Sequence, residues 1–228
     1  MQHDFRVNLW EESYTRKENY IFYPKEEVVK FLNRFVMKKT AWKSNKPILE
    51  CSSELRGFDL GCGIGRQTVL FEEFGIKGFG ADISANAIIA ARQLSADMGY
   101  DMKDRFVQLN PDRVAIPFED NYFHIAVSDS VLDSMHFTIA KDYLKELDRC
   151  VQDLLFISLA SGSVVGNSFN EDVEVETPHE KGTIQSYYNS AKLNELLTNT
   201  NWKIKWMNEV VEITQQEKIA RYHIVLNK

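Results

Sequence analysis

The stretch Phe58–Arg66, with the sequence FDLGCGIGR, constrains the fold of this chain more than any other segment. It joins the end of an apolar run to an acid and three alternate glycines. Glycine lets the backbone turn sharply and lets a ligand approach the backbone N–H groups closely. Leu70, Phe71 and Phe74 follow at helical spacing, and Gly75 is a typical residue for the end of a helix. The order strand, glycine turn, helix predicts a cofactor-binding turn.

The spacing of the glycines favours one type of nucleotide cofactor over another. A dinucleotide site has the pattern G-x-G-x-x-G, whose third glycine lets the helix approach the strand. Here the glycines fall as G-x-G-x-G at Gly61, Gly63 and Gly65, and the third dinucleotide position is Arg66. Asp59 stands before the first glycine, and a carboxylate repels a pyrophosphate but attracts an ammonium group. The turn therefore predicts a ligand with a cationic amino group and disfavours a nicotinamide oxidoreductase.

These residues resemble motif I of the class I S-adenosylmethionine-dependent methyltransferases, and further elements of that family follow in order. A short strand at residues 77–81 ends in Asp82, where the family has an acid that accepts hydrogen bonds from both ribose hydroxyls. Asp112 takes the place of the acid that faces the adenine amino group. Residues 116–133, IPFEDNYFHIAVSDSVLD, resemble the segment that leads into the fourth strand. The resemblance covers roughly residues 55–160 and implies S-adenosylmethionine as the cofactor.

The resemblance also assigns the cofactor-binding positions. They are Asp59, Gly61, Cys62, Gly63, Gly65, Arg66, Asp82, Ile83, Asp112 and Asp129. Two departures from the family lie elsewhere. His124 stands where the family has an acid, which bears on the start of the fourth strand, and the Gly-Gly turn before the fifth strand is missing.

Composition excludes several other classes of protein. The chain has 228 residues, 44% of them hydrophobic, which is enough for one core. A formal charge of −6 gives no general attraction to phosphates, so duplex nucleic acid is not expected as a partner. Cys51, Cys62 and Cys150 are odd in number and have no C-x-x-C spacing, so neither a disulfide framework nor a metal is expected. The polar N-terminus and the lack of a long apolar run predict a soluble, cytoplasmic protein without a membrane contact; the oligomeric state stays open.

Strand-like and helix-like segments alternate through the chain. Strands are predicted at 56–60, 77–81, 105–109, 124–128, 154–160, 202–213 and 219–226, and helices at 25–38, 67–74, 84–99, 139–149 and 189–198. This order predicts an α/β fold with a doubly wound, mainly parallel seven-stranded sheet, helices on both faces and an antiparallel C-terminal strand. Residues 1–50 are predicted to form an N-terminal helical cap or lid, and residues 51–228 the Rossmann-like methyltransferase domain. Residues 40–55 read as a polar connector.

Two segments outside the resemblance are predicted to cover the acceptor. The N-terminal one offers aromatic side chains for stacking or hydrogen bonding, namely Trp10, Tyr14, Tyr20 and Tyr23, although these side chains can equally serve only to pack a cap. The other is the long loop 161–183, which leaves the fifth strand and carries Glu171, Asp172, Glu174 and Glu176. An acidic rim of this kind favours a neutral or cationic acceptor.

The function that the resemblance implies is transfer of a methyl group to an O or N nucleophile of a small-molecule acceptor, such as a sugar or another small metabolite. Candidate catalytic bases are Asp129 and His136, and His179 in the long loop is a further candidate beside the acceptor. The chain lacks the N-P-P-Y and Pro-Cys motifs of nucleobase methyltransferases. Two alternatives remain open: a catalytically silent partner protein that binds S-adenosylmethionine, and a methyltransferase that acts on RNA or protein.

Overall fold

The computed structural model describes residues 2–41, 44–51, 53–177, 180–215 and 217–228, with side chains from Val7 onward. The helices are α1 (Gln2–Thr15), α2 (Glu26–Phe31, continued by a π-helical turn at Leu32–Val36), α3 (Arg66–Glu73), α4 (Ala85–Asp97), α5 (Phe137–Cys150) and α6 (Ser190–Leu197). A short 3₁₀ turn occupies Lys103–Arg105.

The strands of the main sheet are β3 (Arg56–Leu60), β4 (Lys77–Asp82), β5 (Phe106–Gln108), β6 (Phe123–Asp129), β7 (Val151–Ala160), β10 (Lys203–Ile213) and β11 (Lys218–Asn227). Two smaller pairs are β1 (Met37–Ala41) with β2 (Ser44–Pro47), and β8 (Asp172–Glu174) with β9 (Ile184–Ser186).

The main sheet has seven strands in the order β10-β11-β7-β6-β3-β4-β5. Strands β7, β6, β3, β4 and β5 are parallel, and β11 runs antiparallel to both of its neighbours. The chain reverses its direction of strand addition between β3 and β6. Ligands bind in the crevice at such a switch point, outside the carboxyl ends of the strands. The fold predicted from the sequence is confirmed.

Apolar residues cover both faces of the sheet, which is why its central strands read as almost continuous apolar runs. On one face Phe58 of β3 stacks on Phe123 of β6 with ring centroids 4.7 Å apart. On the other face Phe31 of α2 packs against Phe156 of β7, with centroids 5.5 Å apart. The core therefore fixes the strand ends that carry the candidate site.

The N-terminal region differs from the prediction in three places. The second helix begins at Glu26, one residue after the predicted start, and ends at Val36, two residues before the predicted end. The hairpin β1–β2 overlaps the first part of the predicted polar connector, so residues 1–50 are not purely helical. The sequence does not predict the hairpin, because β2 is exposed on both faces and has no apolar alternation.

The two departures from the family pattern have structural consequences on the side of the sheet away from the glycine turn. The pairing of β6 with β7 shifts register between Phe123 and Ile125, around His124. The buried His124 imidazole accepts a hydrogen bond from the Arg56 N–H at Nδ1 (3.0 Å), so its Nε2–H points at Ser53 Oγ, 3.2 Å away. Helix α5 ends at Cys150 and β7 begins at the next residue, without an intervening turn.

Candidate active site

The glycine turn between β3 and α3 is held against the neighbouring strand β4. The N–H groups of Gly61 and Cys62 both donate to the Ala81 carbonyl, at 2.8 and 3.0 Å. Gly61, Gly63 and Gly65 have φ angles of +70°, +53° and +85°, a region that L side chains rarely adopt. At Gly61 an added Cβ would lie 2.3 Å from Val131. The turn requires glycine for its backbone conformation and for its close packing.

Asp82, at the end of β4, forms a hydrogen bond with the glycine turn and faces the cavity. Its Oδ2 accepts from the Gly63 N–H and its Oδ1 from the Ser84 N–H, both at 2.9 Å. Burial raises the pKa of this carboxyl to about 6, against the opposing effect of these backbone donors. Each oxygen keeps a further lone pair. The side chain can therefore accept two additional hydrogen bonds from a ligand.

Asp59, on β3, is a second buried carboxylate in the cavity wall. It is 1% exposed and accepts a hydrogen bond from Thr68 Oγ1 at Oδ2 (2.7 Å). Burial raises its pKa to about 7, and the Thr68 hydrogen bond lowers it in part. A cationic ligand group beside Asp59 would favour its ionised form.

These groups open into one cavity of about 570 Å³, within the usual range of about 300–1,000 Å³ for ligand pockets. Nine of the ten predicted cofactor positions line it. The exception is Gly65, which instead begins α3 as its N-cap residue. The cavity lies along the carboxyl ends of the parallel strands, and α1 forms part of its wall.

Asp129, at the end of β6, is fixed by a network of polar side chains. Ser158 Oγ donates to its Oδ1 at 2.6 Å, and Gln67 Nε2 donates to its Oδ2 at 3.3 Å. The Ser158 hydroxyl also accepts from the N–H of Ser130, whose φ of +61° is unusual for a non-glycine residue. Arg66 lies 3.7 Å from Asp129 Oδ2. Residues from β6, β7 and α3 thus converge on a single carboxylate.

Helix α1 is anchored beside the glycine turn. The Glu11 carboxylate accepts from the N–H groups of Ala85 and Asn86 at the start of α4, where a negative charge suits the helix dipole. The Tyr14 hydroxyl lies 2.7 Å from the place of a Cβ on Gly63, and it has no hydrogen-bond partner among the described residues. Burial, with smaller contributions from Asp82 and Cys62, raises the pKa of Tyr14 well above its usual value, so its hydroxyl keeps a proton to donate.

The predicted acceptor residues separate into two groups. Trp10 and Tyr14 line the cavity. Tyr20 instead packs against the cluster of Tyr14, Ile64 and Ala87. Tyr23 is 83% exposed, and only its backbone carbonyl contacts a cavity residue, by accepting a hydrogen bond from Arg66.

The predicted base His136 is not in the cavity wall. Its Nδ1 lies 3.5 Å from Asp172 Oδ2, at the N-cap of α5. His179 falls outside the described residues.

The four loop acids that were predicted to form an acidic rim do not lie at the cavity. None of Glu171, Asp172, Glu174 and Glu176 lines the cavity. Asp172 pairs with Lys192 at 2.7 Å, because the β8–β9 pair turns this part of the loop towards α6. The carboxylate that does reach the cavity from the loop is Glu180.

Several cavity residues were not predicted from the sequence. Gln67, Lys25, Gln185 and Arg221 all line the cavity. Gln67 directly follows the glycine motif, and this position could have indicated its role. Arg221 comes from β11, far along the chain, and no local signal could have placed it there.

The residues fit the predicted cofactor. The Gln67 Oε1 oxygen is buried in the cavity wall without a hydrogen-bond partner in the described part of the chain, so a ligand donor would satisfy it. Asp59, Asp129 and Gln67 supply acceptors for an ammonium, and Asp82 for two hydroxyls. The glycine turn leaves room beside its backbone that a Cβ would fill. Among the described residues no group of three or more His, Cys, Asp or Glu is placed to hold a metal ion.

Comparisons with known proteins agree with this assignment. Residues 58–154 match the family described as "Methyltransferase domain". A sterol 4-C-methyltransferase of Caenorhabditis elegans is 26% identical over 140 residues, which is 61% of this chain but 36% of that protein. The chain therefore spans about a third of the length of that relative.

Solved structures show the same fold. A SAM-dependent methyltransferase of Methanosarcina mazei is 20% identical with a TM-score of 0.62, covering 77% of this chain and 93% of that one. The 1,6-didemethyltoxoflavin-N1-methyltransferase of Burkholderia thailandensis, solved with its substrate and S-adenosylhomocysteine, is 17% identical with a TM-score of 0.57, covering 76% and 70%.

The chain shares a Rossmann-like sheet with these solved structures, and its glycine turn and strand-end acids border one cavity. Residues 58–154 match a methyltransferase domain in sequence, and the likeness to SAM-dependent methyltransferases of known structure is one of fold. No helix within the described ranges is long and apolar enough to cross a membrane.

Proposed function

We propose that this chain transfers a methyl group from S-adenosylmethionine to an N or O nucleophile of a small molecule bound in the cavity beneath α1. One observation carries the proposal. The same cavity that contains nine predicted cofactor positions continues past Asp129 into a polar region formed by other elements, and this region offers room for a second substrate.

The strand-end acids would orient the cofactor. Asp82 accepts from the ribose hydroxyls, and Asp59 and Gln67 face the amino group of the methionine part. Bound S-adenosylmethionine supplies a methyl group on a positively charged sulfur, and transfer of that methyl leaves a neutral thioether. Holding the two substrates in line can account for much of the rate enhancement in such a reaction.

Asp129 is the residue best placed to act on the acceptor. Its carboxylate is oriented by Ser158 and Gln67, and it lies at the strand end between the cofactor positions and the polar region. When the nucleophile carries a proton, Asp129 accepts that proton as the new bond to carbon forms. Trp10 and Tyr14 of α1 cover the site and exclude water.

The test is a methyl-transfer screen with labelled cofactor over amines, sugars, phenols and small carboxylic acids, run beside structured RNA and a protein mixture. We expect transfer to at least one small molecule. Asp129→Asn should lower kcat by about 100-fold or more if it acts as the base. Asp101→Asn, an exposed acid in the loop after α4, is the control and should leave the rate unchanged.

Two other outcomes would replace this proposal. Transfer to RNA or protein alone would assign the domain to macromolecular substrates. Tight cofactor binding without transfer to any acceptor would favour the role of a silent cofactor-binding partner.

A further inference from the structure

Arg221 lies at the far end of the cavity from the ribose position. It stands on β11 opposite Ala160, at the carboxyl end of β7. In the sheet order β11 is four strands from β4, which carries Asp82. Because adjacent strands are about 4.8 Å apart, the backbones of β11 and β4 are roughly 19 Å apart. Asp129 on β6 lies halfway between them. The cavity thus has a cofactor half, from Asp82 to Asp129, and a second half, from Asp129 to Arg221.

One edge of the Arg221 guanidinium is fixed by the protein. Its Nη1 donates to Asp133 Oδ2 at 2.8 Å and lies 3.5 Å from Ser158 Oγ. Asp133 is fully buried and also accepts from the Ala160 N–H, so it cannot move away from this position without losing a second hydrogen bond. The pair therefore orients the guanidinium towards the cavity.

The other edge of Arg221 is unused. The N–H groups on Nη2 and Nε have no hydrogen-bond partner within the described ranges, although the side chain is only 24% exposed and lines the cavity. Arginine presents its donors in a planar fork that matches the two oxygens of a carboxylate. A guanidinium that is fixed at one edge and has free donors at the other can bind a planar anion.

The charges around this half of the cavity suit a monoanion that also carries a donor. Lys25, Arg66 and Arg221 are cationic residues of the cavity wall, and Asp129 and Glu180 are wall carboxylates whose charges act on Arg221. Burial opposes the charge of Arg221, but Asp133, Asp129 and Glu180 outweigh it and raise the pKa of the guanidinium. A ligand group with two negative charges would meet both carboxylates, whereas a carboxylate with a nearby amine or hydroxyl would satisfy both signs.

We propose that Arg221 binds a carboxylate of the methyl acceptor, and that the acceptor is a small carboxylic acid whose amine or hydroxyl nucleophile faces Asp129. This assignment rests on the proposed function and narrows its acceptor class. The Ser158 hydroxyl, which lies within 3.5 Å of both Arg221 Nη1 and Asp129 Oδ1, keeps the two recognition groups close. Arg221 is a specificity-determining residue in this scheme, and Asp133 is a positioning residue.

The direct test measures binding of small carboxylates to the protein saturated with S-adenosylhomocysteine. Acetate, benzoate and glycine are titrated beside acetamide, benzamide and glycinamide, with ligand-observed NMR as the readout. We expect at least one acid to bind about tenfold or more tightly than its amide, as for a hydrogen-bonded charged group. Equal binding of every pair, no binding of any acid, or tighter binding of inorganic phosphate would overturn the proposal.

Two variants assign the preference to Arg221. Arg221→Gln alone would leave the buried Asp133 carboxylate without its cationic partner. The Arg221→Gln change is therefore combined with Asp133→Asn, so that the two side chains form a neutral hydrogen-bonded pair. Arg221→Lys keeps the ion pair and removes the planar fork. The double variant should abolish the preference for acids and Arg221→Lys should reduce it. Lys218→Gln, an exposed charge change on the same strand, should retain it. Full retention in both Arg221 variants would contradict the assignment, and thermal unfolding verifies that each variant is folded.

The two proposals fail in distinguishable ways. If S-adenosylhomocysteine does not bind, the proposed function is refuted. The preference for acids over amides is then measured on the protein without S-adenosylhomocysteine. If it binds and methyl transfer proceeds as well with an amide as with the corresponding acid, the function stands and the role of Arg221 is refuted.

Discussion

Replacement of Asp82 by Asn tests the hydrogen bonds at the centre of the cofactor site. The carboxylate accepts from the Gly63 and Ser84 N–H groups, each at 2.9 Å, through different oxygens. Asn keeps one acceptor oxygen and turns an NH₂ group against the other backbone N–H. One buried donor then loses its partner, which should reduce the free energy of unfolding by about 1–3 kcal/mol.

The same change removes the charged acceptor that we propose for two ribose hydroxyls. Loss of hydrogen bonds to a charged group costs about 1.5–3 kcal/mol, so the dissociation constant for S-adenosylhomocysteine should rise by roughly 10–150-fold. Isothermal titration near pH 7.5 measures the binding, and urea unfolding measures the stability. Asp101→Asn is the matched control, because this exposed acid lies outside the cavity wall and should leave both the affinity and the unfolding free energy unchanged. An Asp82→Asn protein with wild-type affinity would refute this account of the ribose site.

Three further predictions concern pH, the glycine turn and the lid helix. The raised pKa of about 7 for Asp59 means that the folded protein binds this proton more tightly than the unfolded chain, so its contribution to stability is present at low pH and is lost as the pH rises from about 4 to about 7. Affinity for S-adenosylhomocysteine should increase over about pH 5.5–7.5, because Asp59 and Asp82 both ionise in that range. Asp59→Asn should reduce the pH dependence to the part that Asp82 contributes, as titrations will show. Gly63→Ala, at φ +53° with Tyr14 in contact, should weaken binding by at least about tenfold in the same titration, whereas Gly99→Ala, at φ +83° with open space around it, should not. Glu11→Gln should destabilise α1 by about 0.3–1 kcal/mol, seen as faster proteolysis of residues 2–15, and the exposed Glu12→Gln should have no such effect.

The sequence was sufficient to predict the parts of the fold that local pattern determines. The glycine turn, the strand ending in Asp82 and the order of strands and helices were all predictable, because glycine spacing and apolar runs depend on neighbouring residues. A helix was predicted to begin at residue 84, and Ser84 is the N-cap of α4, accepting from the Ala87 N–H at 3.0 Å. Near Met37–Pro47 the pattern failed, since an exposed hairpin needs no buried face.

The acceptor side was predicted less well, because tertiary contacts determine it. His136 follows β6, as the sequence predicted, but its side chain lies beside Asp172, which the β8–β9 pair places there. Tyr23 belongs to the aromatic segment, yet its ring points to solvent while only its carbonyl meets Arg66. Arg221 enters the cavity because β11 inserts antiparallel beside β7, and nothing near it in the sequence indicates that neighbour.

Titration of the wild-type protein with S-adenosylhomocysteine and with NAD tests the central claim most directly. Asp59, which stands before the G-x-G-x-G turn, and the further cavity acids Asp82 and Asp129 predict saturable binding of S-adenosylhomocysteine at one site, and no detectable heat with NAD. Binding of NAD without binding of S-adenosylhomocysteine would contradict the account.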